Sequence, residues 1–220
     1  MANLDSNKGF TFIEILVSIS LVALIAALVA LVFNPSNYFV RARDLRRLKD
    51  LQILSTALSI YFFQYPNPDP DGPNLDSRGV DETYPTIFIS VPYEIEQPFT
   101  NCFDPVSNKW LYVFQVSQNN LKKNNGTGWI PINFSEMLIP PINELPIDPI
   151  NTFSSGYYYI YAFRRNPAGF EVDAALEYKR FRFGGENDKT STDGGNDPRR
   201  LELGSDLTII PPLNFPIQTQ

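Results

Sequence analysis

The chain has 220 residues, 43% hydrophobic and 19% charged, so most of it is expected to fold rather than remain disordered. A net charge of −6 argues against a general nucleic-acid-binding protein. With no histidine and one cysteine (Cys102), the chain lacks Ser-His and Cys-His nucleophile pairs, imidazole ligands, an internal disulfide and a thiolate zinc site, so we do not expect an enzyme.

The first predicted element is a membrane-spanning helix. Residues 15–33 carry no charge, and as a helix they span about 28 Å, close to the hydrocarbon thickness of a bilayer. The segment is apolar on all sides, which favours a membrane span over the alternative of a buried core helix. No small-residue cleavage motif follows it, so it is not a secretory signal peptide. Asn34 and Pro35 predict a kink or break after it.

An amphipathic helix is predicted over residues 38–63. Apolar side chains recur there at spacings of three and four, and basic side chains occupy much of the remaining surface. We expect the apolar stripe to pack on a sheet formed by the rest of the chain. The proline-rich residues 65–73 then end the helix. The stripe consists of Leu45, Leu48, Leu51, Leu54, Leu58 and Phe62.

The chain beyond residue 65 is predicted to be a β-rich, acidic domain. Alternation after residue 170 places Glu171, Asp173 and Glu177 on a solvent-exposed face of a hairpin. The expected fold class is α+β, with a long N-terminal helix packed on a small antiparallel β-sheet. Strands are expected at residues 86–92, 110–117, 129–134, 156–164, 170–178 and 207–210, with residues 135–153 as an ordered loop.

Glu14 is the unusual residue of the N-terminal segment, because an ionised carboxylate is costly inside a membrane. The partial positive charge of a helix N-terminus offsets part of that cost, and a free amine would offset more. The surrounding residues 8–16 (KGFTFIEIL) resemble the class III signal of type IV pilins and type II secretion pseudopilins.

The resemblance implies specific processing and assembly roles for three residues. A membrane aspartyl peptidase would cut between Gly9 and Phe10, and the new N-terminal Phe10 would be N-methylated. The new α-amine has a pKa of about 8 and is largely cationic at neutral pH. Glu14 would then face the terminal amine of a neighbouring subunit, and the pair would fix the spacing of subunits in a filament.

The resemblance covers about residues 8–65 and implies the domain organisation. It predicts a leader at 1–9, a transmembrane and polymerisation helix at 10–33, an amphipathic stalk helix at 34–64, an extracytoplasmic pilin-like domain at 65–210 and a C-terminal tail at 211–220. Residues 145–151 (LPIDPIN), the Tyr-rich strand after them and residues 170–177 look like the major pseudopilin type. The C-terminal cysteine pair frequent in that family is absent.

The function implied is that of a structural filament subunit in a bacterial type IV pilus or type II secretion pseudopilus. The implied partners are a prepilin peptidase and methyltransferase, other copies of the chain, minor pseudopilins, membrane lipid, and an inner-membrane assembly platform with its ATPase. No direct nucleic-acid binding is expected. The chain would be a single-pass inner-membrane protein with its C-terminal domain outside the cytoplasm. The positive-inside rule alone predicts the opposite orientation, but the signal motif is more specific.

Two further hypotheses concern the loops of the domain. The alternative function is a membrane-anchored binding module, a minor pilin or adhesin that presents residues 98–128 or 184–198 to DNA, surfaces or cargo. Residues 184–198 also contain Asp188, Asp193 and Asp197, and oxygen ligands of this kind suit Ca²⁺. Major pseudopilins often hold calcium in a late loop, although these residues do not follow EF-hand spacing. The alternative is a solvated polar loop without a metal.

Overall fold

The computed structural model describes residues 9–33, 35–72, 86–93, 99–104 and 109–212. The chain divides into two compact units, Met1–Val40 and Arg41–Gln220. Helix α1 (Phe12–Phe33) belongs to the first unit, and most of helix α2 (Pro35–Gln64) belongs to the second. Asn34, where we predicted a kink, lies outside the described residues, as do most of the leader and of the C-terminal tail.

Helix α1 has the length and composition of a membrane span. Its 22 residues correspond to about 33 Å. The window Phe12–Val29 is apolar enough to cross a bilayer, and none of it is buried. A buried core helix, which was the alternative for this segment, is therefore not what the structure shows.

The second unit contains a six-stranded mixed sheet with the strand order β2-β3-β1-β4-β5-β6. The α+β class is confirmed, but the sheet is not wholly antiparallel, because β1 and β3 pair in parallel. Strands β2 and β3 form an antiparallel hairpin, and its second strand, β3, is the one that pairs with β1. Strands β1 and β3 therefore run in the same direction. The strands are β1 (Thr86–Ile89), β2 (Phe99–Asp104), β3 (Lys109–Phe114), β4 (Tyr159–Arg165), β5 (Ala168–Ala175) and β6 (Arg200–Gly204).

Two of the predicted strands are wrong. Trp129 and Ile130 form a bend, Asn133 makes an isolated bridge to Asn125, and Phe134–Glu136 form a short 3₁₀ helix. This stretch does not pair with β3, because both edges of β3 are already paired, with β1 and with β2. Residues 207–210 form turns, and the last strand is instead β6. The predicted strands at 86–92, 110–117, 156–164 and 170–178 correspond to β1, β3, β4 and β5.

The main core lies between α2 and one face of the sheet, as the helical periodicity predicted. The α2 stripe is fully buried at Leu51, Leu54 and Leu58, whereas Leu45 is largely exposed. The sheet contributes alternate residues of its central strands to the same cluster. These are Phe88 of β1, Tyr159, Tyr161 and Phe163 of β4, and Phe170, Val172 and Ala174 of β5.

The opposite face of the sheet is buried as well. Ile160 and Ala162 of β4 form a second core with Ile209 and Ile210 of the C-terminal segment. Glu171 and Asp173 of β5 share a buried environment, so the predicted solvent-exposed face is wrong there. The physical reason is that the segment after β6 and the loop before it fold back over β5 and β6. Glu177, predicted on the same face, lies beyond β5 and is half-buried.

Candidate functional site

The predicted cleavage site lies on an accessible stretch of chain. Gly9 and Phe10 precede α1 and have no regular secondary structure. The Phe10 side chain is 83% exposed. Within the described part of the chain, no heavy atom beyond the adjacent residues lies within 4 Å of the position that a Cβ on Gly9 would take. The peptide bond between these residues is therefore sterically open to a peptidase.

Thr11 and Glu14 form a capping box at the start of α1. The Thr11 backbone N–H and hydroxyl both donate hydrogen bonds to Glu14 Oε2, at 2.8 and 2.9 Å. In return the Glu14 N–H donates to Thr11 Oγ1 at 3.3 Å, and the Ile15 N–H donates to the Thr11 carbonyl. This reciprocal pattern is the capping box, in which an N-cap hydroxyl and an acid three residues later satisfy the helix end. The Glu14 carboxylate is thereby held one turn from Phe10.

Thr11 was not singled out from the sequence, although a signal for it exists. The spacing Thr-x-x-Glu before an apolar run is a recognised sign of a helix N-terminus. The serines within α1 behave as expected for a membrane helix. Ser18 Oγ donates to the Glu14 carbonyl at 2.7 Å, and Ser20 Oγ donates to the Leu16 carbonyl at 2.8 Å.

The comparisons with known proteins identify this segment. Residues 4–30 match the family described as the prokaryotic N-terminal methylation motif, which is the prepilin-type signal of type IV pilins and pseudopilins. No curated protein and no solved structure matches the chain. The resemblance inferred from residues 8–16 is therefore confirmed, and the chain carries a prepilin-type signal. The motif supports a type IV pilin-like or pseudopilin precursor and points to a structural subunit rather than an enzyme.

A buried charge network joins α2 to the loops of the second unit. Arg47 has no exposed side-chain surface and donates to both oxygens of Asp148, at 2.5 and 2.9 Å. The same guanidinium donates to Asp44 at 2.7 Å and to Glu177 at 2.5 Å. Arg43 binds Glu177 with two further hydrogen bonds. Asp148 and Glu177 thus anchor residues 145–151 and 170–177, the two segments that we compared with major pseudopilins, to α2.

The electrostatics of this network favour the charged forms. Burial acts against the charge on Arg47, but hydrogen bonds and charges from Asp148, Asp44 and Glu177 outweigh it and raise the Arg47 pKa. Burial likewise opposes ionisation of Glu177, yet hydrogen bonds from Arg43 and Arg47 hold the Glu177 pKa below its usual value. Arg47 and Glu177 are therefore both charged at neutral pH.

The three aspartates proposed as metal ligands already accept hydrogen bonds from the protein. Asp188 accepts from the backbone of Gly184, Thr190 and Ser191 and from the Ser191 hydroxyl, and the Ser191 N–H is the largest contribution that lowers the Asp188 pKa. Asp193 accepts from the N–H groups of Gly195 and Glu202, and Asp197 accepts from Arg199.

A second group of acidic side chains, Glu171, Asp173 and Glu202, lies together on β5 and β6. One oxygen from each lies within 4.8 Å of the others, and all three residues are buried. Burial, together with the charge of Asp173, raises the pKa of Glu171 to about 11. Burial also raises the pKa of Asp173, against the opposing charge of Arg200, and that of Glu202. Alternation in the sequence places Glu171 and Asp173 on one face but does not reveal that later segments cover it.

Proposed function

We propose that the protein is a structural subunit of a type IV pilus-like or type II secretion pseudopilus filament. It is cut between Gly9 and Phe10, N-methylated at Phe10 and assembled through α1. The observation that best supports this proposal is the methylation motif at residues 4–30. The motif overlaps α1, which is apolar and exposed and has Glu14 in its first turn.

The assembly step follows from the surroundings of Glu14. In the single chain its carboxylate is bonded to the neutral N–H and hydroxyl groups of Thr11. Cleavage after Gly9 creates a cationic amine at Phe10, and the same amine on a neighbouring subunit is a stronger partner than a neutral donor. Pairing of the two charges in an apolar helical bundle sets the axial register between subunits.

Substitution of Glu14 tests this proposal. Glu14→Leu should leave membrane insertion intact but reduce the amount of subunit in sheared filaments at least about tenfold, because the charge pair is lost. Ser20→Leu is the matched control, since it adds the same side chain to the same helix without touching the acid. Normal filament yield and subunit order with Glu14→Leu would refute the electrostatic account.

The orientation and partners belong to the same proposal. In this proposal the chain is a single-pass protein of the inner membrane, with its C-terminal domain outside the cytoplasm. It is processed by a prepilin peptidase and methyltransferase. It then binds other copies of itself, minor pseudopilins and an assembly platform with its ATPase. A reporter fused to the C-terminus should be active outside the cytoplasm. A cytoplasmic signal from that reporter is incompatible with the filament role.

The alternative is a minor pilin or adhesin that presents residues 98–128 or 184–198, and residues 184–198 do lie in the loop that precedes β6. The first segment considered for binding, residues 98–128, contributes β2 and β3 to the sheet and is not one continuous loop. A subunit that builds the filament should dominate purified filaments, whereas a minor subunit should be scarce in them.

A further inference from the structure

A basic cleft lies on the surface of the second unit, in the segment that follows β5. It has a volume of about 340 Å³ and is lined by Lys179, Arg182, Phe183 and Arg199. The Phe183 side chain is 67% exposed. Within the described residues, neither Lys179 nor Arg182 forms an ion pair, whereas Arg199 pairs with Asp197. Basic side chains beside an exposed aromatic ring are the combination found on protein surfaces that lie at a lipid interface.

The acidic side chains nearest to this cleft in the sequence already have partners. Glu177 accepts a hydrogen bond from Arg47 at 2.5 Å. Glu186 lies 3.3 Å from Arg180, and Asp188 accepts hydrogen bonds from the backbone N–H groups of its own turn. The two unpaired cations of the cleft are exposed to solvent. They are therefore available to an anion from outside the chain.

The cleft lies beside the first turns of α2 that belong to the second unit. Asp44 of α2 accepts hydrogen bonds from the backbone N–H groups of Glu177 and Tyr178, directly before the cleft residues, at 3.0 and 2.6 Å. Arg41 and Arg46, on the same turns of α2, are exposed. The second unit begins at Arg41. Its exposed basic side chains are thus concentrated where the chain enters it from α1.

The length of chain after α1 limits how far these cations can lie from a membrane. Helix α1 ends at Phe33, and α2 begins at Pro35. Two extended residues reach about 7 Å and the helix from Pro35 to Arg41 adds about 9 Å, so the Phe33 and Arg41 Cα atoms are at most about 16 Å apart. Lipid headgroups extend about 5–8 Å beyond the hydrocarbon, and attraction to their charge acts over a further Debye length of about 8 Å. With α1 in a bilayer, Arg41 therefore lies within the field of the lipid phosphates.

We propose that Arg41, Lys179 and Arg182 bind the phosphate groups of anionic phospholipids while the subunit is anchored in the membrane. Guanidinium and ammonium groups form charge-assisted hydrogen bonds with phosphate oxygens, and a cluster of them near an anionic surface strengthens binding. Inorganic phosphate offers the same oxygens but has no apolar part for Phe183 to contact, so we assign the site to a lipid. The inference shares membrane anchoring by α1 with the proposed function, but it does not depend on cleavage or filament assembly.

Lipid binding by the full chain in neutral detergent micelles tests this contact. In microscale thermophoresis, dioctanoyl phosphatidylglycerol should bind at least about tenfold more tightly than dioctanoyl phosphatidylcholine, and 1 M NaCl should remove the preference. The double substitution Lys179→Gln and Arg182→Gln should lower the affinity for phosphatidylglycerol at least about tenfold. The matched control is Lys122→Gln with Lys123→Gln, which removes the same charge from exposed residues between β3 and β4 and should retain the affinity.

Several results would overturn the lipid site. They are equal binding of the two lipids, equal loss of affinity in both double variants, displacement of the lipid by an equal concentration of inorganic phosphate, and tighter binding of a short DNA duplex or a polyglutamate peptide. Carbonate extraction of membranes tests anchoring by α1 separately. A chain that carbonate releases contradicts the proposed function as well, whereas a retained chain without a lipid preference contradicts this inference alone.

A second measurement needs no substitution. Hydrogen exchange of the full chain is compared in nanodiscs of phosphatidylcholine with and without phosphatidylglycerol. We expect the anionic lipid to slow exchange in residues 178–184 and to leave residues 119–128 unchanged, because a lipid contact protects only the backbone next to it. Equal slowing of both segments, or no slowing of residues 178–184, contradicts the proposal.

Discussion

The Glu14 carboxylate connects two states of the N-terminal helix. In the single chain it accepts from the N–H and the hydroxyl of Thr11, which satisfies the helix end but leaves the negative charge without a counter-charge from these donors. Neutral donors make weaker hydrogen bonds to a carboxylate than a cation does. The capping box therefore holds Glu14 in position, and a cationic amine from another subunit is the better partner in the assembled state.

The role of Thr11 can be measured by substitution. Thr11→Val keeps the side-chain volume and the backbone N–H but removes the hydroxyl, and loss of an N-cap hydroxyl costs about 1 kcal/mol. We expect amide hydrogen exchange in the first turn of α1 to become about fivefold faster in micelles, because that free energy corresponds to this factor. Thr56→Val is the control, since Thr56 bonds only the Gln52 carbonyl in α2. Unchanged exchange after Thr11→Val would rule out the cap.

The lowered pKa of Glu177 predicts that the stability of the folded chain depends on pH. Hydrogen bonds from Arg43 and Arg47 outweigh burial and lower the pKa of Glu177 in the folded chain. The ionised carboxylate therefore adds to the free energy of unfolding above the unfolded-state pKa of about 4.3, and this stabilisation is lost as the pH falls through the folded-state pKa. At pH 7, Glu177→Gln should lower the unfolding free energy by about 1–3 kcal/mol in urea denaturation. This difference should shrink below about pH 4.

The control for this measurement is Glu186→Gln. Glu186 is exposed, and its Oε2 lies 3.3 Å from Arg180 Nε. Surface ion pairs of this kind contribute little to the free energy of unfolding. A Glu177→Gln effect that stays constant from pH 7 to pH 3 would show that the ion pairs are not its cause.

At the level of elements, α2 is held by an apolar stripe and by one buried guanidinium. Arg47→Met should destabilise the second unit by about 3–5 kcal/mol, because Asp44, Asp148 and Glu177 all lose a buried partner. Unfolding followed by the fluorescence of the buried Trp129 measures this loss.

The adjacent residue on the same helix provides the matched control. Arg46 is 56% exposed and pairs with Asp50 at 3.4 Å, so Arg46→Met should cost less than about 1 kcal/mol. Equal effects of the two substitutions would show that the buried network does not anchor α2.

Local patterns in the sequence predicted the elements whose packing repeats regularly. The leucine spacing gave α2, and the aromatic alternation around Tyr159 gave β4 and its pairing with β5. Strand β2 (FTNCFD) pairs with the adjacent β3 but shows no regular alternation, whereas β6 (RLELG) is short and pairs with β5 across the long segment between Ala175 and Arg200. The burial of Glu171 has the same origin, because the segment that covers it begins after β6.

For the molecule as a whole, the evidence for function is concentrated at the N-terminus. The motif at residues 4–30 was readable from sequence because processing and membrane insertion act on short, contiguous segments. The second unit has a fold that the sequence predicted in outline, and its Arg47 network and acidic face depend on residues far apart in the chain. The proposed filament role therefore depends on one covalent event near Gly9.

Mass spectrometry of the N-terminal peptide, from protein isolated from its native cells, tests that event most directly. The account predicts a peptide that begins at Phe10, lacks residues 1–9 and carries one additional methyl group on its terminal amine. A chain that still begins at Met1, in cells whose prepilin peptidase is active, would contradict the account.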